Sequence, residues 1–134
     1  MLQKLHSKRG GFTLVEIMIV VAIIALLAAI AVPSFLRARK RSQATTTKND
    51  LRLIDSAIDQ YAIEYNLTAG ATVSADAVKL YLKNGTRLQA SLKTVLGHDY
   101  TNFTVDTLPK VPADTYEALQ DVADANFWSP FPTQ

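Results

Sequence analysis

Hydrophobic and polar positions divide this 134-residue chain into three stretches. From Ile17 through Val32 no side chain is polar or charged, and the apolar run reaches back to Phe12 with only Thr13 and Glu16 interrupting it. Wound as an α-helix at about 1.5 Å per residue, Phe12 to Val32 covers roughly 30 Å, the thickness of a bilayer's hydrocarbon core. A helix apolar on every face requires burial all round. Farther on, Ala44, Thr47, Leu51, Ile54, Ile58, Tyr61 and Tyr65 recur at steps of three and four, the signature of one buried face of an amphipathic helix. Asp50, Arg52, Asp55, Asp59, Gln60 and Glu64 fall between them, as a solvated face requires. No breaker separates Pro33 from Asn66, so the pattern predicts one long helix from Phe12 to about Tyr65, with Thr45-Thr46-Thr47 weakening its middle.

Beyond Asn66 the periods are short. Asn66 to Val73, with Gly70, reads as a loop, and Ser74 as the cap of a helix over Ala75 to Lys83 that Asn84-Gly85 closes. Leu88, Leu92, Val95 and Leu96 predict another helical turn before Gly97. Tyr100 to Val105 and Leu108 to Val111 predict two short strands. Asp114 and Glu117 have the spacing of a capping box ahead of a C-terminal helix. The tail from Asn126 to Pro132 carries Phe127, Trp128 and Phe131, too aromatic for free solvent, and is expected to pack on the head or a neighbouring subunit.

Charge sharpens this division. Lys4, Lys8 and Arg9 precede the apolar run, and Arg37, Arg39, Lys40 and Arg41 follow it as a basic collar at headgroup level. The net charge of +2 is therefore concentrated around the apolar segment. Removing the first eleven residues leaves 11 Lys and Arg against 12 Asp and Glu, so the pI near 8.9 is no argument for a nucleic-acid partner. Without cysteine there is no disulfide, thiolate metal site or thiol nucleophile.

Glu16 is the residue that ordinary anchors do not explain. A secretory signal peptide would use the three basic residues, the apolar run and a cut near Ala29-Ile30-Ala31, and a plain transmembrane anchor would need no cut. Neither accounts for an acid inside a membrane segment, which costs a few kcal/mol and is retained for a purpose. Nothing in the apolar run offers it a cation. Cleavage between Gly11 and Phe12 would create one, an α-amine with a pKa near 8, able to meet its own Glu16 or, with more specificity, that of a neighbour.

The run Gly11-Phe12-Thr13-Leu14-Val15-Glu16, preceded by basic residues and followed by an unbroken apolar helix with Pro33, resembles the prepilin signature of type IV pilins and type II secretion pseudopilins. The resemblance implies an α+β, type IV pilin-like fold, a long helix packed against a small head of short strands and helices. It divides the chain into a cleaved leader (1–11), a transmembrane and filament-core helix (12–36), an amphipathic continuation (37–65) and a pilin head (66–134). It implies a membrane-embedded peptidase and methyltransferase that cuts after Gly11 and N-methylates Phe12, pairing of Glu16 with a neighbour's N-terminus, and a single-pass inner-membrane precursor with its N-terminus cytoplasmic. Its partners would be lipid before assembly, then the assembly platform, other copies and minor pilins in a pilus or a periplasmic pseudopilus. Relatives commonly carry glycine where this chain has Ala25. Alanine favours helix by about 1 kcal/mol over glycine, so unwinding between Ala25 and Pro33 is expected to be harder here. Pro33 frees the carbonyl of Ala29, and a kink or melted stretch is expected there. Ala22, Ala25, Ala28, Ala29 and Ala31 stand at spacings that let helices approach closely.

Catalytic chemistry is not expected. His6 lies in the leader, and His98 beside Asp99 lacks the three or four converging donors of a metal site. Asp114, Asp121 and Asp124 lack the glycine and spacing of a calcium loop, which tilts the reading from pseudopilin towards pilin. Three Asn-X-Thr triplets, at Asn66, Asn84 and Asn102, are weak acceptor patterns. The expectation is a structural filament subunit without cofactor or metal, with adhesion, motility, DNA uptake or secretion as the candidate roles of the filament. The rival is a signal-anchored extracytoplasmic binding domain.

Overall fold

The structure, a computed structural model, describes residues 10–133. The readings placed on Lys4, His6, Lys8 and Arg9 lie outside those residues. The chain divides into two compact units, with the boundary between Leu36 and Arg37.

The first helix, α1, runs from Leu14–Glu64 and includes Pro33. It begins where Thr13 can cap it, since the Thr13 hydroxyl accepts from the Glu16 N–H at 3.2 Å and the Glu16 carboxylate accepts from the Thr13 N–H at 2.8 Å. These reciprocal bonds satisfy orphan groups of the first turn. Residues 25–33 are wound as helix rather than melted, in keeping with alanine at position 25. In the first unit every large apolar side chain from Phe12 to Leu36 is at least half exposed.

The second unit holds the core. Ala44, Thr47, Leu51, Ile54 and Ile58 of α1 are buried, as their period predicts. At the C-terminal end the buried face drifts: Ala62 is buried, Tyr61 is half-buried and Tyr65 is exposed. A helical period of 3.6 residues leaves a strict three-four alternation by this amount over five turns. Asp50 corrects the sequence reading more sharply. Expected on the solvated face, it is buried, paired with the Arg87 guanidinium and bonded by the Tyr100 hydroxyl at 3.2 Å.

Four short helices and their loops cover this face. Ser74 caps α2 (Ala75–Leu80) as expected, accepting from the Ala77 N–H, and Thr86 caps α3 (Arg87–Ser91) in the same way. α3 ends at Leu92 in the left-handed conformation, earlier than the leucine spacing implied. The two predicted strands are reduced to isolated bridges, Thr72 with Thr104 and Val111 with Thr133. The reason is local: Asn102 and Asp106 have φ of 62° and 58°, so the extended run Phe103 to Val105 is cut off on both sides. Pro109 and Pro112, lacking N–H groups, deny a ladder to the second run.

The capping box expected at Asp114 and Glu117 is not formed. α4 (Ala113–Leu119) starts after Pro112, which makes no side-chain cap. The Pro112 carbonyl already accepts from Thr115 and Tyr116 N–H groups, so Asp114 falls inside the first turn. Asp124 caps the last helix, α5 (Ala125–Trp128). The aromatic tail packs on the head as expected. Trp128 is fully buried and donates from Nε1 to the Ala123 carbonyl at 3.1 Å, Phe131 is buried, and Phe127 meets Lys48 of α1. Trp128→Ala is expected to lower the head's unfolding free energy by about 3–5 kcal/mol, the usual cost of emptying a buried aromatic site. Denaturant unfolding of the detergent-solubilised chain, followed by near-UV circular dichroism, measures this.

Candidate processing and assembly site

Gly11 and Phe12 lie just ahead of α1, both exposed, with Phe12 at 85 % of its full accessibility. The peptide between them is open to an enzyme. An ideal Cβ on Gly11 would meet nothing within 4 Å, so no steric contact among the described residues requires glycine there.

The carboxylate of Glu16 is held three residues from Thr13 by the capping bonds of the first turn. The sequence reading treated Glu16 as an acid without a partner. The structure supplies a neutral one, the Thr13 N–H, and the pattern Thr-X-X-Glu ahead of an apolar run was visible as its signal. The capping bond offsets part of the cost of the acid but is itself neutral, and among the described residues no cation pairs with Glu16. The macrodipole adds a favourable interaction, because the carboxylate sits at the positive end of a long helix. An arriving cation would thus find the carboxylate already oriented in the first turn.

Behind this turn stands the apolar shaft. α1 is long and apolar enough to cross a membrane, the one such helix among the described residues. Its exposure decides what it can do. At roughly 1.5–3 kcal/mol for each large apolar side chain taken from water, leaving the shaft bare costs on the order of tens of kcal/mol, more than the whole stability of a typical domain. Something must cover it.

In the head, charged groups serve structure. Lys40 of the basic collar reaches Asp121 at 2.8 Å, and this hydrogen bond holds the Asp121 carboxyl below its ordinary value. The Tyr100 hydroxyl is raised far above its usual range, first by burial and then by the charge of Asp50. Tyr81 is pushed up to about 12 by its bond to the Glu64 carboxylate, and its ring stands edge-on to Tyr61 at 5.8 Å. His98 Nδ1 lies 2.7 Å from the Thr115 hydroxyl, a packing contact between a loop and α4. Among the described residues no group of three or more His, Cys, Asp or Glu could hold a metal ion.

Residues 6–32 match the prokaryotic N-terminal methylation motif. The chain is 39 % identical over 59 residues to the type II secretion system core protein G of Pseudomonas aeruginosa, covering 44 % of this chain and 42 % of that one. It is 44 % identical over 54 residues to the type IV major pilin protein PilA of Myxococcus xanthus, covering 40 % and 24 %. Against the type IV wide pilus major component PilA4 of Thermus thermophilus it is 45 % identical over 56 residues, covering 42 % and 43 %. The chain spans less than half the length of each of these curated relatives. No solved structure matches it.

Asp55 provides a test of the head's electrostatics. Its carboxyl is raised above the ordinary value, first by desolvation and then by the charge of Asp59 one turn on. A raised folded value means that the native state binds the proton more tightly, so Asp55 weakens the head once pH exceeds the carboxylate range and ceases to do so below it. Asp55→Asn should raise the unfolding free energy at pH 7 by a small amount, under about 1 kcal/mol for a half-buried surface group, and the gain should vanish near pH 3. Thermal unfolding at the two pH values checks the sign.

Proposed function

We propose, from the premise that its N-terminal segment belongs to the type IV pilin and type II secretion pseudopilin family, that this chain is a structural subunit of a type IV pilus filament. The observation that carries the reading is the bare apolar shaft of α1 behind an exposed Gly11-Phe12 peptide, with the methylation motif spanning both. A helix exposed on all faces needs two successive solvents. Lipid covers it in a precursor held in the inner membrane with its N-terminus in the cytoplasm, and neighbouring copies of the same helix cover it in the filament.

Cleavage between Gly11 and Phe12 by a prepilin peptidase is the event that permits the transfer. It removes the basic leader and leaves an α-amine, methylated at Phe12, which meets the Glu16 carboxylate of a neighbouring subunit. An uncompensated carboxylate in lipid favours insertion of each subunit where the two charges meet, which fixes the axial step. The assembly platform of the inner membrane and minor pilins are the remaining partners. Pro33 marks the point where the helix can open or bend during the transfer, since Ala29 lacks its donor there. Relatives of both kinds match over similar lengths, 59 and 54 residues, so a pseudopilus of a type II secretion system is the second reading.

Mass spectrometry of the mature chain should find it beginning at an N-methylated Phe12. A start at Val32, or an uncut N-terminus, would overturn the proposal. Gly11→Val should leave the leader attached, read as the mass of the unprocessed precursor. Glu16→Ala should be inserted and cleaved normally yet yield filaments at least about tenfold fewer, a loss equivalent to 1.4 kcal/mol or more. Normal filament mass in the sheared fraction would refute the pairing.

A further inference from the structure

The head carries a second, unassigned docking feature at the far end of α1. A groove of about 530 Å³ is lined there by Asp59, Ala62, Ile63 and Asn66 of the helix end and by Val105 and Asp106 of the facing loop. Polar and apolar groups share its lining about equally; Ile63 is exposed, and Asp59 and Asp106 stand at it with no ion-pair partner among the described residues. The last turn of α1 contains no basic residue, so the negative end of the helix dipole adds to these two carboxylates. Asp55, one turn before Asp59, extends the same unrelieved negative stripe. The complementary surface is on the same helix. Arg37, Arg39 and Arg41 are exposed and make no ion pair among the described residues, whereas Lys40 between them is held by Asp121.

We infer that the groove receives the basic collar of a second copy of this chain, with Arg39 and its neighbours set against Asp59 and Asp106. The inference rests on the filament-subunit reading and adds to it a contact between heads and collars. Both partners lie on α1, from Arg39 to Ile63, so parallel copies meet this way only when one is displaced by 24 residues, about 36 Å along the axis. The contact is heterologous, groove to collar, and repeats without closing, as a filament requires. It also gives the collar a second partner after the lipid headgroups, so that extraction from the membrane does not strand three arginines.

The cysteine-free sequence makes a direct test possible. Ala38→Cys and Ile63→Cys, both at exposed helix positions, are placed on separate full-length chains, co-expressed, and oxidised in filaments sheared from cells. The expected result is a mixed 38–63 disulfide in the filament fraction, at least fivefold more abundant than the 38–38 and 63–63 disulfides, and a fivefold or greater loss of it when Asp59→Lys and Asp106→Lys are added to the Ile63→Cys chain. Filaments without the mixed disulfide, or with one indifferent to the charge reversals, overturn the docking while leaving the filament reading intact. If the unmodified chain forms no filaments, the reading beneath it fails as well.

Discussion

Covering the apolar shaft is the constraint on which everything else in this chain depends. The head closes a core of its own, from Ala44 to Phe131. The shaft does the opposite, since each large apolar side chain between Phe12 and Leu36 is at least half exposed. Water cannot hold such a surface against a deficit on the order of tens of kcal/mol. Lipid and a bundle of like helices are both adequate solvents, and a molecule that passes from one to the other needs a trigger and a guide.

The first turn supplies the guide. Thr13 and Glu16 cap α1 reciprocally, which both starts the helix and fixes the direction of the only carboxylate in the shaft. In the proposed filament this carboxylate meets the amine exposed by cleavage, and a charge pair in an apolar surrounding discriminates strongly between the right and wrong register. Specificity of position is the attested benefit of such a pair, and net stability is not. At the other end of α1 a similar division holds. The core stripe gives the head its stability, while in the proposed docking the unrelieved surface charges, Asp59 and Asp106 against Arg39, would select how copies meet.

What could be read in the sequence was what a local period or a short spacing encodes. The shaft, the core stripe from Ala44 to Ile58, the Ser74 cap and the packing of Trp128 and Phe131 all follow from composition or from contacts within a few residues. Asp50 was misread because its partners, Arg87 and Tyr100, are 37 and 50 residues away in the chain. The strands failed for a subtler reason. Asn102 and Asp106 are permissive residues, and only the fold decides that both turn left-handed and leave three extended residues between them. The capping box of Thr13 and Glu16 was legible as Thr-X-X-Glu, yet the acid's cost in lipid drew the reading towards a missing cation and away from the neighbouring N–H.

Whether this shaft exchanges lipid for its own kind is decided by electron cryomicroscopy of filaments sheared from cells that produce the chain. The expected result is a helical polymer whose axis is a bundle of helices beginning at Phe12, with the 37–133 heads on its surface. Recovery of the chain solely in the inner-membrane fraction, or a polymer with Phe12 to Leu36 outside its core, would contradict it.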